Sequence, residues 1–358
     1  MRHVIITGMY RSGTTLVHHL LDSHDDLDVF PVENCIIRDS LFAFKLPHPG
    51  QRSLAPLIRL IRAEKFDDVL TYIVNHEKLG LALTDNIRLT GSTGDQTVPL
   101  SFDLKIFKQE MLARISNLSS LDTETLVIKL YEAYHLSYSA AIGSPVKVNL
   151  QFLVNKCPDA GLMIDCLLRG FDDAKVVHVI RDPRAVIASF KAGLDVSMYH
   201  RPSRLVSQLK LLRHSYGCIN KYAADDRVLC IRYEDLVIDP KKVMAEVAKH
   251  IGISMSGTLV RPTISGTPWK ANSSNVTPQK SDYAISADLL KYREKLNVRE
   301  IKFIEDNLRD EMTSLNYPFD YSAGGRLLMV RYFLISSCHI PTYYCMIKRK
   351  LKKYLRKS

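Results

Sequence analysis

The first apolar run, "HVIITG" (residues 3–8), is short, β-branched and free of charge. That is the pattern of a parallel strand buried on both faces. A glycine-containing turn follows, and "TTLVHHLLDSH" then sets apolar side chains at Leu16, Val17, Leu20 and Leu21, a helical spacing. The alternation returns further on. "AKVVHVIRD" reads as strand, and "PRAVIASFKAG" as a helix opened by Pro183 and closed by Gly193. A helical stretch over roughly Ser203–Ala224 leads to the apolar run "RVLCIRY", and Pro240 opens a further helix in "PKKVMAEVAKHIGI". Strands alternating with helices predict an α/β fold, its sheet mostly parallel and flanked by helices.

Between about Asp39 and Val146 the rhythm changes. "LAPLIRLIRAEKFDDVLTYIVNH" and "LSFDLKIFKQEMLARIS" have amphipathic helical spacing and are separated by Gly- and Thr-rich turns. This reads as a helical insertion or lid on the sheet, with no recognisable chemical motif of its own.

Composition narrows the class. The 358 residues suffice for one large domain or two modest ones, and 46% apolar with 24% charged residues suits a soluble globular protein. The net charge of +11 is unevenly placed, since residues 325–358 hold nine Lys or Arg and no acid. The remainder has 40 basic against 38 acidic residues. A near-neutral body argues against nucleic acid as a partner. Seven scattered cysteines without a C-x-x-C pair argue against a disulfide framework or a zinc site and fit a reducing compartment. The chain enters a strand by His3, so no signal peptide is expected and a cytoplasmic location is.

The loop "GMYRSGTT" (8–15) has almost the outline of a phosphate-binding P-loop, but Thr14 stands where its lysine belongs. Gly8 and Gly13 allow the backbone to approach an anion. Successive N–H groups and the helix N-terminus can then bind it, aided by the hydroxyls of Ser12, Thr14 and Thr15 and the guanidinium of Arg11. A kinase would want the lysine and a metal-binding acid. The bland alternative is a glycine turn with a solvated Arg11. A second anion site is legible in "VIRDPRAVIASF", where Arg181 closes a strand ahead of a helix N-terminus and Ser189 lies two turns on. Its alternative is that Arg181 pairs with Asp182 and Ser189 simply packs.

Together these segments resemble the sulfotransferases that use 3′-phosphoadenosine 5′-phosphosulfate (PAPS), particularly the tyrosylprotein sulfotransferase branch. "YRSGTTL" is similar to that family's 5′-phosphosulfate loop, and "VIRDPRAVIAS" to its 3′-phosphate segment, which implies that role for Arg181 and Ser189. "VNKCP" resembles the segment whose lysine faces the sulfuryl group (Lys156), and "DSHDDLDVFPVEN" the stretch ending in the catalytic glutamate (Glu33). "IRYEDL" resembles the segment whose tyrosine touches the nucleotide (Tyr233), and "NSSNV…LLKYR" one with a serine and a lysine near the sulfonate (Ser274 and Lys291). The likeness runs in order through residues 2–35 and 150–316. It departs from the tyrosylprotein enzymes in the longer insertion, the missing membrane anchor and the spacing before Glu33.

The resemblance implies a sulfotransferase domain over 1–320, with core 1–39 and 146–320 and the insertion at about 40–145, where acceptor specificity would lie. Catalysis would fall to Glu33, Arg11 and Lys156, with PAPS as co-substrate and no metal. A sulfuryl group carries fewer charged oxygens than a phosphoryl group, so fixed donors and one or two cations can replace Mg²⁺. His18 and His24 are alternative bases, and Trp269 could stack on a ring or belong to the core. A carbohydrate or lipid-linked hydroxyl is the favoured acceptor, ahead of protein tyrosine or a small alcohol. The tail 321–358 supports this preference. Leu327–Met346 is apolar but broken by Arg331, His339 and Pro341, so it is not read as membrane-spanning. "KRKLKKYLRK" after it suits peripheral contact with an anionic membrane surface, or else is a solvated tail. A small-molecule kinase and a non-catalytic nucleotide binder are the alternative readings of the whole.

Overall fold

A computed structural model describes residues 2–33, 59–60, 63–65, 67–68, 86–89, 96–99, 103–114, 129, 132–133, 135–137, 151–158, 164–171, 173–193, 202–264, 266–269, 276–278, 285–287 and 289–322. The chain groups into two compact units, one of Met1–Val179 with Ala223–Ala287, the other of Ile180–Tyr222 with the segment from Asp288 onward.

Strands β1 (Arg2–Gly8), β2 (Leu27–Glu33), β5 (Phe152–Lys156), β6 (Lys175–Ile180) and β7 (Val228–Arg232) make a five-stranded sheet in the order β2-β5-β1-β6-β7. β1 runs parallel to both its neighbours, β5 and β6, and β2 runs parallel to β5. The mostly parallel α/β sheet expected from the apolar runs is what forms. β1 is buried at every position after Arg2, as its charge-free sequence requires. Neither β2 nor β5 is among the strands expected. "LDVFPVE" carries two acids and a proline, and "FLVNK" ends in two polar residues, so neither shows a clean period.

Helix α1 (Thr14–Leu21) covers the sheet, burying Leu16, Val17, Leu20 and Leu21. Full burial of each such side chain contributes about 1.5–3 kcal/mol. Within the insertion, β3 (Asn86–Leu89) and β4 (Gln96–Pro99) pair antiparallel where only turns were expected. Helix α2 (Leu104–Arg114) lies where the second amphipathic run predicts it. The first expected helix falls mostly outside the described residues. Helix α3 (Ile164–Gly170) precedes β6.

The second unit is built from α4 (Pro183–Gly193), which matches its predicted bounds, and α5 (Pro202–Lys221), expected over 203–224. In the first unit, β7 gives way to α6 (Tyr233–Ile238) and α7 (Pro240–Ile251). Asp239 caps α7 by accepting from Lys242 N–H, Pro240 opens it, and left-handed Gly252 ends it. Helices α8 (Tyr292–Lys295), α9 (Val298–Asn307) and α10 (Arg309–Ser314) complete the second unit. Among the described residues no helix is long and apolar enough to cross a membrane. The tail beyond 322 lies outside them.

α1 also buries His18 and His19, at 1% and 3% exposure. Burial first, and the nearby Lys156 charge second, lower the His18 pKa to about 3. Burial, reinforced by His18 and Lys156, holds His19 well below its usual value. Both rings are therefore neutral when folded but protonate near 6.5 when unfolded. Their contribution is complete above that value and lost as pH falls below it, by roughly 1.4 kcal/mol per ring per pH unit. Thermal unfolding should accordingly shift down between pH of about 7 and about 5, and His19→Leu should flatten the slope. An unchanged slope in that variant would show that the buried imidazoles are not its source.

Candidate functional site

The site begins where β1 ends. Gly8 has φ of 151°, and a Cβ there would lie 2.3 Å from the Val179 carbonyl oxygen. Gly13 has φ of 103°, and its Cβ would lie 2.2 Å from Cδ2 of Tyr233. Both glycines are therefore obligatory, one against the neighbouring strand and one against an aromatic ring. Tyr233, expected to touch a nucleotide, is only 2% exposed and forms the floor under the loop.

Between them Arg11 is exposed and adopts φ of 69°, a conformation costing a non-glycine residue about 1–2 kcal/mol. Strain of this kind collects in ligand-gripping loops. Ser12 holds the loop in shape, donating its hydroxyl to Met9 O at 2.6 Å and its N–H to the same oxygen at 3.1 Å. No side chain caps α1 at Gly13, so the first-turn N–H groups and the helix dipole are directed at the loop's concavity. Thr14 is buried and Thr15 half-buried.

Two neighbouring strands bring in the other expected residues. Lys156 pairs in register with Ile6 of β1 and with Glu33 of β2. Its ammonium, largely buried, donates to Thr15 Oγ1 at 3.2 Å. The loop, Lys156 and the backbone of Glu33 thus share the carboxyl ends of three adjacent strands, where ligands bind in open parallel sheets.

Of the alternative bases, His24 is engaged at both nitrogens and His18 is buried at 1% exposure. His24 donates from Nε2 to Ser254 O at 2.9 Å and accepts at Nδ1 from Asp26 N–H at 3.2 Å, so neither nitrogen can take a proton without breaking a bond. His18 donates to Phe30 O at 2.7 Å. Trp269 is buried and packs its ring 4.6 Å from His19, a core role. Sequence reasoning missed His135, from the insertion. It is fully buried, meets Asn155 Nδ2 through Nδ1 at 3.3 Å, and lies 3.3 Å from Asp28 Oδ2. A lone histidine in a segment without a motif gave no signal.

In the second unit Arg181 follows β6 and is 5% exposed, its carbonyl accepting from Tyr216 Oη at 2.6 Å. Ser189 is half-buried two turns into α4, and Lys291 occupies the N-cap of α8. Ser274 lies outside the described residues.

Beside Arg181 sits a buried charge cluster. Arg184, 1% exposed, clasps Asp182 through Nε and Nη2 at 3.0 and 2.7 Å and reaches Glu305 through Nη1 at 2.6 Å. Glu305 also accepts from the N–H groups of Asp320 and Tyr321, and Arg293 holds Asp320 by two bonds. Burial opposes the charge on Arg184, but the Asp182 carboxylate outweighs it and raises the pKa. The cluster ties α4 to α9 and to the chain after α10.

Among the described residues no group of three or more His, Cys, Asp or Glu could hold a metal. Arg184→Ala would strand Asp182 and Glu305 without their cation. It should cost about 3–5 kcal/mol in urea unfolding, whereas a loss under about 1 kcal/mol would rank the cluster with surface pairs.

The family described as "Sulfotransferase family" matches residues 3–257. The chain is similar to the sulfotransferase domain of the Synechococcus PCC 7002 olefin synthase, at 19% identity and TM-score 0.49, over 89% of this chain and 96% of that one. It is also similar to sulfotransferase STF9 from Mycobacterium avium, at 17% identity and TM-score 0.40, over 91% and 78%. A third likeness is to a retinol dehydratase in complex with androsterone and inactive cofactor PAP, at 15% identity and TM-score 0.35, over 89% and 82%. No curated protein matches.

Proposed function

The chain belongs to the sulfotransferase family, and on that premise we propose that it transfers a sulfuryl group from PAPS to an acceptor hydroxyl. The observation that carries this reading is the register of three strands, which aligns the end of β1 and its loop with Lys156 and Glu33. A strained arginine, a helix N-terminus and a lysine oriented by a hydroxyl suit an anion that passes through a charge-dispersed transition state.

In this proposal the loop N–H groups and Arg11, with Ser12, Gly13, Thr14 and Thr15, hold the 5′-phosphosulfate. Arg181 and Ser189 take the 3′-phosphate, and Tyr233, Ser274 and Lys291 complete the nucleotide contacts. Glu33 removes the proton of the acceptor hydroxyl as its oxygen attacks sulfur in line. The new O–S bond forms as the bond from sulfur to the phosphate oxygen breaks. The electron pair departs with the desulfated nucleotide, 3′-phosphoadenosine 5′-phosphate, and Lys156 stabilises the charge growing on that oxygen.

The acceptor we favour is a glycan or glycolipid, ahead of protein tyrosine or a small alcohol. Its support is the long insertion and the basic run at 348–357, which suits a cytoplasmic enzyme resting on an anionic membrane.

Glu33→Gln should keep affinity for the desulfated nucleotide and lose turnover by roughly 10²–10⁴-fold, the usual worth of a general base. Single-turnover assays with PAPS and a competent acceptor check this, and near-full turnover would remove Glu33 from the role.

Arg181→Ala should weaken 3′-phosphoadenosine 5′-phosphate by on the order of 1.5–3 kcal/mol, the contribution of a charge-assisted contact. The analogue lacking the 3′-phosphate should lose far less. Equal losses for both ligands in calorimetry would sink the assignment.

A further inference from the structure

β2 does not run evenly to its end. It pairs Leu27, Asp28 and Val29 with Phe152, Leu153 and Val154 of β5, and resumes only at Glu33 opposite Lys156. Phe30, Pro31 and Val32 therefore stand opposite a single residue, Asn155. Such a bulge re-aims the strand beyond it, and Pro31, with no N–H to contribute to a ladder, is at home there.

The bulge is fastened from the helix side. His18 Nε2 lies 2.7 Å from the Phe30 carbonyl oxygen. A carbonyl can only accept, so the proton resides on Nε2 and Nδ1 carries the lone pair. Nδ1 has no hydrogen-bond partner among the described residues, and the ring is 1% exposed. Burial, then the charge of Lys156, keep the imidazole neutral, with a pKa of about 3. One turn earlier on the same helix, Thr15 accepts from the Lys156 ammonium. α1 thus grips one member of the Glu33–Lys156 pair through Thr15, and the strand that carries the other through His18.

We propose that His18 is a positioning residue for sulfuryl transfer, its neutral N–H pinning the β2 bulge and so setting where Glu33 meets Lys156. The inference rests on Glu33 being the general base. In this role His18, 1% exposed, acts through the strand and not on nucleotide or acceptor.

The test separates the two ideas. His18→Leu should lower kcat by on the order of 10- to 100-fold, the effect of displacing a reacting group by about 1 Å. Affinity for 3′-phosphoadenosine 5′-phosphate should move by less than about threefold. His18→Gln, whose amide N–H can reach Phe30, should restore most of the turnover, and His18→Asn, one methylene shorter, should not. In a Glu33→Gln background, His18→Leu should cost nothing further, because both changes act on one step.

Should Leu fail to fold, the Gln and Asn pair decides alone. Equal losses in Gln and Asn, a full additional loss in the Glu33→Gln background, or unchanged kcat in His18→Leu would each overturn the proposal. Glu33→Gln with near-full turnover would instead remove the base, and the positioning role with it.

Discussion

Everything in the site hangs on β1 lying between β5 and β6 in one parallel sheet. A buried parallel strand must present its carboxyl end where the chain turns to climb the next helix. That geometry puts backbone N–H groups, rather than side chains, at the centre of the candidate anion site. The same sheet brings the backbones of Lys156 and Glu33 to the loop, Glu33 only after the register shift in β2. Their strands join β1 directly or through one neighbour.

The loop can be tight because its two glycines are hemmed in from opposite sides. Val179 O excludes a side chain at Gly8, and the Tyr233 ring excludes one at Gly13. Such close packing leaves little room for the loop to relax, which is why Arg11 can be kept in a left-handed conformation it would otherwise leave. Pre-organisation of donors is what separates an electrostatic catalyst from a flexible cationic surface. The Thr15 hydroxyl works the same way, orienting the Lys156 ammonium without neutralising it.

The sequence made the loop, α4 and β1 legible because each is a local pattern: an uninterrupted apolar run, two glycines, a proline-opened helix. β2 and β5 were not legible. Asp28 and Asn155 interrupt their periods, and their strand character comes from pairing with β1 and with each other. The bulge in β2 exists only in the pairing, so no single-strand pattern reveals it. His24 read as a spare base because its two hydrogen bonds come from Ser254 and from its own turn at Asp26. Arg184 carried no signal in the sequence, where it is one residue of a proline-opened helix. Its second carboxylate partner, Glu305, lies on a helix more than a hundred residues away. Resemblance named Tyr233 as a nucleotide contact, whereas its packing against Gly13 required the fold.

Two kinds of buried polar group serve this protein, and they trade off differently. The Arg184 cluster buries full charges, which is tolerable only because every member has a partner of opposite sign. Its strength is therefore set by completeness. The α1 histidines bury neutral rings, which need no counter-ion and give a donor whose proton position does not change across working pH. Their cost falls below pH 6.5, where the unfolded chain gains protons that the folded chain refuses. A charged clamp at position 18 would have added a second cation beside Lys156, competing in the proposed mechanism with the loop for the anion. A neutral imidazole holds the Phe30 carbonyl and adds no charge beside Lys156.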